Sequence, residues 1–231
     1  MAKVVIFSGA GISAESGLST FRDTDGLWEK YRIEEICTHG CLRWNRENTL
    51  AFYDARREQL SSVSPNTAHY AIAKLQETYP NDIAIITQNV DDLFERSGCK
   101  EVLHLHGFLP RLRCEQCGAT HLIGYTKQER VLTCKECGGS FRPDIVFFGE
   151  AAPMYEHLYE AMEDCQFLAI IGSSGNVVAM DHFALHVKVA ILNNLEPSDA
   201  INEKVYTKVL HQKATEAVEE IVADVEKFLR R

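Results

Sequence analysis

Four cysteines fall as two Cys-x-x-Cys pairs, Cys114/Cys117 and Cys134/Cys137, with sixteen residues between the pairs. Four thiolates at this spacing can close a tetrahedral zinc site, and the spacing lies in the zinc-ribbon range. Gly118 and Gly138 follow the pairs, as a knuckle turn requires. A site closed by four cysteines keeps no open coordination position, so its metal is structural. An iron–sulfur or redox site is the alternative that the same thiols admit.

Gly9-Ala10-Gly11-Ile12-Ser13-Ala14 fits G-x-G-x-x-G/A directly after an apolar run. Glycines there let backbone approach a pyrophosphate at a helix start. A tight strand-to-helix turn without a ligand is the competing reading. The acidic residue that a dehydrogenase carries about twenty positions on is not at an obvious strand end, which weakens a hydride-transfer reading. His104 and His106 stand two apart at a strand end and can share a face, where a histidine is a candidate general base. A buried, hydrogen-bonded histidine is the bland alternative for either.

Thr87-Gln88-Asn89-Val90-Asp91 offers amide and carboxylate groups at another strand end, or simply a helix cap before Leu93 and Phe94. Asn194 and Glu196 follow a further strand, where they can hold ribose hydroxyls or merely form a turn ahead of Pro197. Tyr53 and Arg56 are i and i+3 on a helix face and can clamp a carboxylate. A solvated arginine beside a packed tyrosine is the commoner outcome of that spacing.

These residues need a scaffold. Lys3–Ser8, Ile83–Thr87, Val102–Leu105, Phe167–Ile171 and Val189–Leu192 read as short buried strands. Asn48–Leu60 reads as a helix, Ala68, Ile72, Leu75 and Tyr79 mark an amphipathic helix, and Ala217 to Leu229 a closing one. Strands alternating with helices predict an α/β fold, a Rossmann-like parallel sheet with helices on both faces. Ligands then bind beyond the carboxyl ends of the strands. Residues 1–22, 65–110 and 143–231 make that domain. Residues 23–64, a helical insertion, and 111–142, a zinc-ribbon insertion, break the alternation and form a small module.

The chain has 231 residues, 45% hydrophobic and 25% charged, with a formal net charge of −9. An acidic surface argues against a dedicated nucleic-acid binder. Neither a signal-peptide core nor an apolar stretch of bilayer length is present, so no membrane partner and a cytoplasmic location are expected. Clustered cysteines in a reducing compartment are metal ligands sooner than disulfides.

In their order along the chain, these pieces resemble the sirtuins, NAD-dependent protein-lysine deacylases, and most of all the compact bacterial type. The resemblance covers nearly the whole chain. It rests on Gly9-Ala10-Gly11-Ile12-Ser13 with Gly17-Leu18-Ser19-Thr20-Phe21-Arg22-Asp23, on Thr87-Gln88-Asn89-Val90-Asp91, and on His104-Leu105-His106-Gly107. The paired cysteines, Arg142-Pro143-Asp144-Ile145-Val146-Phe147-Phe148-Gly149-Glu150 and Asn194-Leu195-Glu196-Pro197 complete it.

The resemblance implies NAD and one structural zinc as cofactors, and acylated-lysine proteins as partners bound by backbone pairing. It implies that the acyl carbonyl oxygen attacks C1′ of the nicotinamide ribose and nicotinamide leaves. His106 then acts as general base on the ribose hydroxyls, and the products are free lysine and 2′-O-acyl-ADP-ribose. By the same analogy Asn89 and Asp91 hold the nicotinamide pocket and Gln88 the ribose. Gly9, Ala10, Gly11, Ile12, Phe21 and Arg22 shape the cofactor loop. Gly172, Ser173, Ser174, Asn194, Glu196 and Ala214 take the phosphate and adenosine side. Val146 and Phe147 line the acyl-lysine tunnel. Tyr53 and Arg56 match the Tyr-x-x-Arg pattern of sirtuins that accept succinyl- and malonyl-lysine.

The chain departs from the family pattern at Ser173 (usually threonine), at Val178-Ala179-Met180 (usually Tyr-Pro-Ala) and at Gln212 (usually glycine). Cys37 stands where similar chains carry alanine in the acyl pocket, and the stretch from Phe183 to Asn194 is about four residues short. Two other readings remain: a mono-ADP-ribosyltransferase, and a zinc-ribbon interaction protein that has lost turnover. The acyl tunnel with His106 disfavours the first, and Gln88, Asn89, Asp91 and His106 the second.

Overall fold

The computed structural model describes residues 2–18 and 32–230. Strand β1 (Val4–Ser8) is fully buried and lies at the middle of the main sheet. Its side chains alternate between two cores, Val4 and Ile6 on one face, Val5 and Phe7 on the other. An unbroken apolar run therefore serves both faces, as a parallel strand covered on both sides demands.

After β1 come a short helix α1 (Gly11–Ala14), then α2 (Ile33–Ile36), α3 (Cys41–Trp44), α4 (Arg46–Ser62) and α5 (Thr67–Thr78). Next along the chain are β2 (Ile83–Thr87), α6 (Leu93–Ser97), β3 (Leu103–His104), β4 (Gly107–Cys114), β5 (Thr120–Leu122) and β6 (Phe141–Ile145). The remainder holds α7 (Tyr155–Glu163), β7 (Phe167–Ile171), α8 (Asp181–Ala184), β8 (Val189–Asn193), β9 (Lys208–Leu210) and α9 (Ala214–Leu229).

The main sheet has six parallel strands in the order β3-β2-β1-β7-β8-β9. The chain leaves β1 for β2 on one side and later returns to β7 on the other. The carboxyl ends of β1 and β7 thus flank the switch point where such sheets bind ligands. Helices α5 and α9 cover one face through Ile72, Leu75, Ala217 and Ile221, and α7 covers the other through Leu158 and Met162. The fold class read from the sequence is the one observed. The sheet has one strand more than expected, β9, and the Val102–Leu105 strand is reduced to two paired residues.

A separate antiparallel sheet, β5-β4-β6, carries the cysteine pairs. Its ladder starts at Gly107 and ends at Ile145, a few residues outside the 111–142 stretch. A third core joins it to the helical segment through Ile36, Leu50, Phe52, Tyr53, Leu109, Ile145 and Phe147. Polar groups reinforce the joint. Arg57, with 0% of its surface exposed, pairs with Asp54 at 2.6 Å and donates to the Thr126 and Leu109 carbonyls. Asp54 also meets Arg130 at 2.9 Å and accepts the Gln128 backbone N–H. Among the described residues no helix is long and apolar enough to cross a membrane.

Candidate active site

The loops after β1 and β7 interlock. A Cβ built on Gly11 would stand 2.6 Å from Gly172 Cα, and one on Gly172 would stand 2.5 Å from the Ile12 nitrogen. Gly172 also has φ of +65°, which disfavours any side chain. The Gly11 N–H donates to the Gly172 carbonyl at 2.9 Å. The glycines thus serve the approach of one loop to the other. The Ile12 side chain is fully buried in the core, and its N–H donates to Gly9, so Ile12 faces away from the crevice.

The loop after β2 carries the polar groups. Ser8 at the end of β1 donates to Thr87 Oγ1, which accepts the Asn89 N–H. Ser13 is the hub of the next layer: its hydroxyl accepts from Asn89 Nδ2 at 3.1 Å and donates to Asp91 Oδ2 at 3.0 Å. The other Asp91 oxygen accepts the N–H of Leu93, the first residue of α6, at 3.1 Å. Burial raises the Asp91 pKa even against these two bonds. Gln88 Nε2 donates to Ser173 Oγ at 2.9 Å and ties the β2 loop to the β7 loop.

His104 and His106 dock on consecutive carbonyls of that loop and then diverge. His104 places Nδ1 2.9 Å from the Asn89 carbonyl and Nε2 2.8 Å from Glu95 Oε1. Both partners only accept, so the fully bonded ring carries two protons. Burial opposes that charge, but Glu95 and the Asn89 carbonyl outweigh it and the pKa is raised. His106 places Nδ1 3.1 Å from the Gln88 carbonyl, so Nδ1 holds the proton. Its Nε2 lies 3.0 Å from the Tyr155 hydroxyl and keeps a lone pair to accept it. Burial lowers the His106 pKa against the pull of the Gln88 carbonyl. The contacts of His104 favour its charged form and those of His106 its neutral form, which leaves Nε2 as the basic atom of His106.

Tyr53 and Arg56 both lie on α4, against the end of β6. Tyr53 stacks on Phe147, ring centroids 5.7 Å apart and 14° from parallel, and its hydroxyl meets Cys37 Sγ. Arg56 is half-buried, bonds Gln59 at 2.9 Å, and lies within electrostatic reach of Asp91, Tyr53 and Cys37. Phe147 is buried and Val146 half-buried; the Val146 N–H donates to the His106 carbonyl at 2.9 Å. The structure therefore brings Val146, Phe147 and His106 together, with Tyr53 stacked on that segment. Arg142 and Glu150 brace that segment through a bidentate pair at 2.6 and 3.0 Å, with Glu150 Oε2 also accepting the Phe147 N–H.

On the β8 side, Asn194 Nδ2 donates to the Ser173 carbonyl at 2.8 Å, and Asn193 Nδ2 reaches the Leu210 and Gln212 carbonyls. Ser174 is half-buried, Glu196 exposed, and Ala214 buried at the start of α9. Phe21 and Arg22 lie outside the described residues. A cavity of about 450 Å³ between the helical segment and the ribbon is lined by Phe147 but by none of the residues assigned to the cofactor.

The four thiols suit zinc. Their Sγ atoms all lie within 4.8 Å of one another, with Cys114 to Cys137 at 3.5 Å and Cys117 to Cys134 at 3.6 Å. A disulfide needs about 2.05 Å, whereas four sulfurs about 2.3 Å from a tetrahedral zinc stand about 3.8 Å apart. Gly118 and Gly138, at φ +77° and +74°, turn each knuckle, and the Gly139 N–H donates to Cys137 Sγ.

Sequence reasoning missed four residues. Ser13 sits within a matched motif, and its polar side chain in an apolar helix was the available signal. Asp54 and Arg57 were readable only as an ordinary i,i+3 pair. Tyr155 lies 49 residues from His106 in no recognisable motif, and nothing in the sequence pointed to it.

A parallel sheet with a glycine crossing at its switch point, a neutral histidine beside it and a four-cysteine ribbon defines a small class of nucleotide-dependent enzymes. The Sir2 family model matches residues 9–179. A protein of Campylobacter jejuni (strain RM1221) named NAD-dependent protein deacylase is 44% identical, spanning 100% of this chain and 98% of its own. One of Escherichia coli (strain K12) with the same name is 37% identical, spanning 99% and 84%. Among solved structures, a Sir2 homolog in complex with NAD superposes with a TM-score of 0.85 at 33% identity, covering 98% of this chain and 90% of that one. The chain belongs to the Sir2 family.

Proposed function

We propose that this sirtuin is an NAD-dependent protein-lysine deacylase, acting on acetyl and on succinyl or malonyl groups and releasing nicotinamide and 2′-O-acyl-ADP-ribose. The observation that carries the reading is the fixed tautomer of His106, whose Nε2 lone pair stands at the carboxyl edge of the sheet beside the acyl-pocket segment. When bound, NAD supplies an electrophilic ribose carbon and the hydroxyl that receives the acyl group.

The chain's own residues do the rest. His106 takes a hydroxyl proton at Nε2, while the Gln88 carbonyl steadies Nδ1–H and the imidazolium that forms. Asn89 and Asp91, preset by Ser13, meet the nicotinamide amide. Gly9, Ala10 and Gly11 bring backbone to the phosphates. Gly172, Ser173, Ser174, Asn194, Glu196 and Ala214 receive the adenosine half, and Phe21 and Arg22 complete the cofactor loop. Val146 and Phe147 wall the acyl-lysine and exclude water. Tyr53 and Arg56 meet an acyl carboxylate. Phe148 already uses its N–H and carbonyl on Cys37 and His39, so pairing with the substrate backbone falls to the chain from Gly149 onward. The four cysteines hold zinc as a brace away from the reaction. Acylated proteins of the cytoplasm are the substrates.

Incubating the protein with NAD and an acyl-lysine peptide tests this, with products read by mass spectrometry. Acyl-ADP-ribose and free lysine are expected, and His106→Tyr should abolish both while zinc content and circular dichroism stay unchanged. ADP-ribosylated protein without acyl-ADP-ribose would replace the reading with a mono-ADP-ribosyltransferase.

A further inference from the structure

The Tyr155 hydroxyl lies 3.0 Å from His106 Nε2, with ring centroids 5.9 Å apart. Because Nδ1 is committed to the Gln88 carbonyl, Nε2 is the basic atom of this ring, and it is the atom that Tyr155 covers. Tyr155 opens α7, where it is half-buried against the core beneath that helix.

We propose that Tyr155 caps the general base: its hydroxyl holds the His106 Nε2 lone pair, and a ribose hydroxyl must displace it to take the same position. The proposal rests on the reading of His106 as the base. Tyr155 is thus a positioning residue. Its hydrogen bond, with that of the Gln88 carbonyl, fixes the imidazole plane, and NAD binding has to displace it. No proton leaves the pair in this exchange; one donor to Nε2 replaces another.

NAD affinity, measured by calorimetry on the full chain, tests the displacement in a double-mutant cycle. Tyr155→Phe should bind NAD about two- to tenfold more tightly, the range of one neutral hydrogen bond. In the His106→Ala background the same substitution should leave NAD affinity unchanged. Tyr155→Met, which also lacks the hydroxyl, should repeat the pattern. In the NAD-free protein the ¹⁵N resonance of His106 Nε2 should move when the hydroxyl is removed. An equal affinity change in both backgrounds, no change in either, or an unmoved Nε2 resonance in both variants overturns the proposal. Turnover that survives His106→Tyr overturns the base assignment instead, because the resonance and the affinity are read without turnover.

Discussion

The Tyr53 hydroxyl lies 3.3 Å from the Cys37 thiol, beside the Phe147 ring on which Tyr53 stacks. Burial pushes the Cys37 thiol up to about 11, and burial likewise raises the Tyr53 phenol, so both partners are neutral at physiological pH. A neutral hydrogen bond of this kind contributes about 1 kcal/mol, whereas one to a charged group contributes about 1.5–3. An acyl carboxylate arriving beside Arg56 can therefore draw the Tyr53 hydroxyl away from Cys37.

Acyl preference should follow. Arg56→Met should lower the ratio of desuccinylase to deacetylase kcat/KM by about tenfold or more, the loss of one charge-assisted contact. Cys37→Ala frees the Tyr53 hydroxyl and should raise the same ratio a few-fold. Parallel kinetics on acetyl- and succinyl-lysine peptides check both. A ratio untouched by Arg56→Met would remove the carboxylate-clamp reading.

Zinc removal should act on the small module. Cys134→Ser is expected to abolish metal binding and lower the melting temperature, because binding and folding of such a ribbon are coupled. Metal analysis with calorimetry decides it: a metal-free variant as stable as its parent contradicts a structural role.

Arg57→Ala should destabilise the chain by up to about 3–5 kcal/mol, since it strips one of two arginine partners from a buried carboxylate. In a chain of this size, each kcal/mol corresponds to about 2–4 °C in melting temperature. A thermal melt displaced by less than about 2 °C would show that Arg130 alone satisfies Asp54.

Acid should weaken the fold through His69. This histidine is fully buried, and as residue N3 of α5 its Nδ1 accepts the Asn66 N–H in a capping box. Burial lowers its pKa from 6.5 to about 4, so the unfolded chain takes the proton first. The contribution is complete above about pH 6.5 and is lost as pH falls toward 4, by about 3 kcal/mol in all. Denaturant melts at pH 7 and 4.5 should show the loss, and His69→Gln should shrink it.

The strands legible in the sequence are those whose residues speak for themselves. Val4 to Phe7 and Phe167 to Ile171 are continuous and apolar, and both are central strands. Strand β9 begins with Lys208 and pairs along one edge, so its three residues give no run to detect. Strands β4 and β6 contain Pro110 and Pro143, and β4 shifts register between Gly107 and Leu112, which hides them from a pattern of alternation. At the site, residue types with fixed spacing were readable: the cysteines, the glycine turn, the Gln88 to Asp91 segment. What was not readable were contacts made across the fold, such as Tyr155 on His106. The protonation of His104 against His106 was hidden too, because Glu95 and the loop carbonyls set it.

The crossing of Gly9 and Gly11 with Gly172 limits how this protein can be altered. None of the three positions has an atom left to give up, so no compensating substitution can make room for a side chain at another. Two turns far apart in the chain are bound to change together or not at all. A loop grafted from a relative must arrive with its counterpart, and a library aimed at cofactor preference should diversify the residues around this crossing while holding the crossing itself constant.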